Sequence, residues 1–187
     1  MLDKNRQSLL LDGIFKLLVD ARYQVVRSVN RTMVYAYFEI GKLIVEEEQS
    51  GKNRAEYGKS VLKKLSNGLT ERLGKGFSVD NLENMRKFYL TYMISETLSR
   101  KSTDTQQKSE TVSRISKKND FQLSWSHYIK LIRIDNVEER KFYEIEIDQN
   151  NWSLREFKRQ YDSALYQRLV LSKDKQGVIK IISLREY

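Results

Sequence analysis

The chain has 187 residues, neither cysteine nor proline, and a net charge of +9 from 34 basic and 25 acidic side chains. That length allows one sizeable core or two small ones, and the missing cysteine excludes disulfides and thiolate chemistry. No apolar run approaches the roughly 20 residues of a bilayer span, and Met1 to Arg6 lacks the order of a signal peptide, so the expected setting is cytoplasmic with no membrane partner.

Taken in order, residues 9–49 read as one long helix or two collinear ones. Ile14, Leu18, Ala21, Val25, Val29, Met33, Ala36, Ile40 and Leu43 recur at about 3.6 residues per step, the period of a straight amphipathic helix. Asp12-Gly13 reads as a break or start near its beginning, and Glu46-Glu47-Glu48 opposes the macrodipole at its end. A helix this long is either a scaffold for later helices or, with more apolar stripe than a small domain covers, a dimerisation element.

Tyr57 to Met93 divides into two apolar-periodic segments. Val61, Leu62, Leu65, Leu69 and Leu73 mark the first, and Leu82, Met85, Tyr89 and Met93 the second. Between them Gly74 suits a left-handed C-terminal stop, and Ser78 suits an N-cap. Two helices joined in this way are the sequence form of a helix-turn-helix. With Leu82, Met85 and Tyr89 inward, Asn81, Asn84 and Lys87 fall together outside. Asparagine can pair with an adenine edge, and lysine can reach guanine or phosphate. An ordinary solvated stripe has the same composition, and Asp80 and Glu83 beside it would repel phosphate.

Charge sharpens the choice. Residues 51–93 carry 9 basic and 4 acidic groups, more than half of the chain's excess, while residues 1–50 and 125–170 are each balanced. Lys52, Arg54, Lys59, Lys63, Lys64, Arg72 and Lys75 are therefore the expected phosphate contacts, with Ser78, Asn81, Asn84 and Lys87 completing the predicted DNA-binding set.

Residues 97–120 are rich in Ser and Thr, poor in large apolar side chains and mixed in charge, which reads as a mobile linker. Beyond it, Trp125 to Ile134 and Val137 to Asp148 read as helices. Asn150 to Ser153 reads as a turn, with Ser153 and Glu156 forming a capping box, and Leu154, Phe157, Tyr161, Leu165 and Leu169 mark one final helix. Residues 177–184 begin with Gly and continue β-branched, which reads as either a short edge strand or a lead-in to a following segment. The expected fold is all-α. It has a first lobe over 1–96, the linker, a second helical lobe over 121–172, and a tail over 173–187.

Three blocks carry a resemblance: YAYFEIGKLIVEEEQSGKNRAEYG (35–58), LTERLGKGFSVDNLENMRKFY (69–89) and LSWSHYIKLIRI with ERKFYEIEIDQNNWSLREFKRQYDSALYQRL (123–134 and 139–169). They resemble the N-terminal domain of YhcG-like bacterial proteins. In that family a helical, DNA-binding N-terminal domain is expected to precede a PD-(D/E)xK nuclease domain. The resemblance implies a targeting module for a nuclease domain supplied in cis or in trans, with the catalytic part outside this sequence.

No catalytic residue, metal site or cofactor is expected within the chain. The nearest match to a nuclease triplet, Asp148 with Glu156-Phe157-Lys158, falls in a helical pattern where side chains two apart diverge. The single histidine, His127, lies between aromatics and reads as a packing residue. The rival reading is a homo-oligomerisation or partner-docking module of a nuclease or restriction-type complex, with the positive charge incidental.

Overall fold

The computed structural model describes residues 2–50, 54–100 and 121–171, with side chains over 6–49, 58–93 and 121–171. Every regular element among them is helical: α1 (Leu2–Ser50), α2 (Arg54–Leu73), α3 (Val79–Arg100), α4 (Trp125–Leu131), α5 (Val137–Gln149), α6 (Leu154–Asp162) and α7 (Leu165–Leu171). The expected all-α class is what is observed. Residues 177–184 lie outside the described residues.

α1 is one uninterrupted helix that starts at Leu2 and passes through Asp12-Gly13, so the expected break does not occur. Nor is the buried stripe the expected one. Ile14, Leu18, Val25, Val29, Met33 and Leu43 are exposed, whereas Val34, Phe38, Ile44 and Val45 are buried. The packed line of α1 lies one residue beyond the predicted line, about 100° round the helix, and it forms only in the C-terminal half. Apolar spacing identifies a face, but α3 decides which of two adjacent faces it covers.

α3 is the helix laid most extensively along α1. Leu82, Met85, Phe88 and Tyr89 are buried, which places the predicted line inward as far as Tyr89, while its last member, Met93, is exposed. The helices meet at Gly41, where even a single added Cβ would lie 2.1 Å from the Met85 carbonyl oxygen. α2 packs more lightly. Leu62 is buried and Leu65 and Leu73 are exposed, so only part of its predicted stripe is used.

The α2–α3 turn follows its sequence. Gly74 has φ +83° and donates its amide to the Thr70 carbonyl, and Ser78 Oγ accepts the Asn81 amide at 3.2 Å. The left-handed stop and the N-cap are both present.

The two halves anticipated from the sequence share one core. Phe88 of α3 lies within 4.9–5.7 Å, centroid to centroid, of Phe38, Tyr92, Phe121, Trp125 and Tyr128. The same buried cluster continues through Phe142, Tyr143, Phe157 and Tyr166. Aromatic pairs at these separations add about 0.5–1.5 kcal/mol each beyond their area. α3 also runs to Arg100, four residues into the predicted linker; residues 101–120 lie outside the described residues.

α4 stops at Leu131, three residues before the expected Ile134, and its chain end closes through Ile132, Arg133 and Ile134 amides bonded back to the preceding turn. The predicted last helix is two helices, broken at Ala164 with φ +53°. The break re-aims Tyr166 into the core, where its amide meets the Tyr143 hydroxyl at 3.3 Å. The capping box is half formed. Ser153 Oγ accepts the Glu156 amide, but the Glu156 carboxylate bonds Arg159 and Gln160, which hold it below the usual carboxylate range.

Candidate nucleic-acid interface

The sequence places a reading face on α3 and phosphate contacts on α2. The structure separates them. Asn81 is half-buried with its amide committed at both ends: its nitrogen donates to the Gly76 carbonyl at 2.5 Å, and its oxygen accepts the Trp125 indole N–H at 2.9 Å. An amide held between a turn and the neighbouring helix lacks the paired free donor and acceptor that an adenine edge needs. Asn81 therefore joins α3 to α4, and the expected role in base reading is not supported by its geometry.

Asn84 is half-buried beside the packed side of α3, and Lys87 is exposed. The outer face of α3 comprises Asp80, Glu83 and Lys87, so carboxylates outnumber cations there. Asp80 lies in the first turn, where the helix dipole favours an anion and an acid opposes a phosphate. Ser78 is spent on its cap.

α2 is different. Lys59, Lys63, Lys64, Arg72 and, in the turn, Lys75 are all exposed. Lys59 and Lys63 are one helical turn apart on one flank of α2, Lys64 lies about 100° round from Lys63, and Arg72 about 180° round from it, so the cations are spread over the exposed arc of the helix. Glu71 is the acidic side chain of α2 among the described ones, and no ion pair among the described residues engages these five cations. Arg54 begins α2, but its side chain lies outside the described ones, as Lys52 does altogether.

One cation that sequence reading left unassigned is explained. Arg86 Nε meets Glu48 Oε2 at 2.6 Å, an ion pair joining α3 to the acidic end of α1. It withdraws one of the nine basic groups of residues 51–93 from any ligand and gives one of the three C-terminal glutamates a partner. The only sequence signal was the mismatch of three acids at a helix C-terminus.

Several carboxylates of the second half are also engaged. Asp148 Oδ1 accepts Arg27 at 2.8 Å, and Phe157 is buried, so the Asp148–Glu156–Lys158 set is not gathered at one point. Glu144 accepts the Tyr92 and Tyr128 hydroxyls at 3.2 and 3.3 Å; burial first, then the Glu144 charge, raise the Tyr92 hydroxyl well above its usual range. Among the described residues no group of three or more His, Cys, Asp or Glu could hold a metal ion. His127 lies in the α4–α6 packing. Its Nδ1 meets Ser124 Oγ at 2.8 Å, its buried Nε2 has no hydrogen-bond partner, and burial lowers its pKa. No described helix is long and apolar enough to cross a membrane.

A family model described as the DUF1016 N-terminal domain matches residues 13–168. A protein of Escherichia coli (strain K12) named "Putative nuclease YhcG" is 38% identical over 180 residues, covering 90% of this chain and 48% of that protein. The chain thus spans about half the length of the curated relative it matches. No solved structure matches the chain.

Proposed function

The chain belongs to the family of DUF1016 N-terminal domains, and from that premise we propose that it grips the sugar-phosphate backbone of DNA and presents that DNA to a nuclease domain. The observation that carries this reading is the set of exposed cations Lys59, Lys63, Lys64, Arg72 and Lys75 on α2 and its turn. The relative's name, a putative nuclease, supplies the substrate class, and the rest of its length lies beyond this chain's match.

Backbone contact positions a protein on DNA without reading sequence. The helix that would read bases, α3, is instead laid against α1 and tied to Trp125 through Asn81. The module accordingly binds duplex DNA with little sequence preference, α2 facing the phosphates and Lys87 at the margin. Catalysis is the task of the nuclease domain.

Duplex binding followed by fluorescence anisotropy across a salt series tests the reading. Five phosphate contacts give a log–log salt slope of about −4 to −5. A flat salt response, or no binding at low salt, overturns it.

A further inference from the structure

We propose that the N-terminal half of α1, from Leu9 to Met33, is the interface through which two copies of this chain pair. This stands independently of the nucleic-acid reading. Thirteen large apolar side chains of the segment are exposed, among them Leu9 (70%), Leu11, Phe15 (69%), Leu17 (71%), Leu18 and Val25. Together they leave on the order of 1,000 Å² of apolar surface in water, more than the roughly 300–600 Å² of the largest patch on an ordinary monomer. One face of it, the stripe Leu11, Ile14, Leu18, Val25 and Val29, lies within about 60° of the circumference and is the part a second copy covers.

Helical stability comes mainly from packing an apolar face, and residues 6–22 are exposed throughout. The nearest anchors on the rest of the chain are Tyr23, whose hydroxyl donates to Asn151, and Arg27, paired with Asp148. The segment Leu9–Met33 is about 37 Å long, enough for several turns of helix–helix contact.

A second copy is the occupant that the charge pattern fits. In a two-fold pair the same patch faces itself, so it must be self-complementary. Between residues 7 and 21 the only charges are Asp12, Lys16 and Asp20. They lie four residues apart on one line, where they offset one another, and the rest of the circumference is apolar. In a chain of net charge +9, copies repel each other except where such a charge-poor surface lets them approach. The charge-poor surface is residues 7–21; Arg22, Arg27 and Arg31 follow it toward Met33, with Arg27 paired to Asp148.

Sedimentation or light scattering of the full chain tests the pairing. The expected mass is twice the 22.2 kDa of one chain. Leu18→Glu should raise the dissociation constant on the order of 100-fold or more, because one buried leucine is lost from each copy. Since Leu18 is exposed in the single chain, the aromatic near-UV signal of the core should be unchanged. Leu43→Glu, exposed on the same helix beyond the segment, should leave the pair intact. A monomer at tens of micromolar concentration, any other multiple, or a Leu18→Glu variant that still pairs overturns the proposal.

Discussion

The α-carbon of Gly41 lies so close to Met85 that a methyl group there would meet the Met85 carbonyl oxygen at 2.1 Å and its carbon at 2.7 Å. Carbonyl atoms of a helix cannot swing aside as a side chain can, so α1 and α3 would have to move apart along their whole contact.

Gly41→Ala is therefore expected to destabilise the fold by about 1–3 kcal/mol, the usual range for overpacking, despite the better helix propensity of alanine. Gly68→Ala is the control. It lies within α2 with nothing within 4 Å of the added Cβ, and it should stabilise by about 0.5–1 kcal/mol. Urea unfolding of the two variants checks both signs.

Asn81→Ala is expected to act on stability and not on DNA. It leaves the Trp125 indole N–H without its acceptor, a loss of about 1–2 kcal/mol, and frees the Gly76 carbonyl. Thermal melts should show the loss, while the salt slope of DNA binding stays that of the parent. A changed sequence preference with unchanged stability would restore Asn81 to a reading role.

Single replacements on α2 should each remove about one unit of salt slope. Lys63→Ala and Lys64→Ala are expected to weaken binding about equally for every duplex sequence, because phosphate contacts carry no sequence information. Arg86→Ala gives the contrast. Its guanidinium is engaged with Glu48, so stability falls by about 0.2–1 kcal/mol, as for a partly exposed pair, and the slope is retained. Anisotropy titrations at several salt concentrations distinguish the two.

Acid should weaken the fold through His127. Burial is the first cause holding its pKa below the ordinary 6.5, and the neighbouring Trp152 and Ser153 backbone only partly offsets it. The unfolded chain then binds the proton more readily than the folded one. Stability from this group is fully present above about pH 6.5 and declines as pH falls toward the lower folded value. Melts between about pH 7.5 and 5.5 should show the decline, and His127→Gln should flatten it across that window.

Local chemistry was legible in the residues themselves. Gly74 and Ser78 mark the α2–α3 turn because a left-handed stop and a hydroxyl cap are short-range requirements. Ser153 caps α6 for the same reason. The inward line Leu82–Met85–Tyr89 and the concentration of charge between residues 51 and 93 also needed only periodicity and counting.

What the sequence left open were the choices between faces and partners. α1 offers apolar residues on adjacent stripes, and only the approach of α3 at Gly41 selects Val34, Phe38, Ile44 and Val45 over Met33 and Leu43. Asn81 has the same composition whether it faces a base or an indole, and Trp125, 44 residues away, decides. The division of the last helix at Ala164 depends on where Tyr143 waits for Tyr166. Periodicity fixes side chains relative to their own backbone; which of them meet depends on contacts far apart in the chain, and those belong to the packed molecule alone.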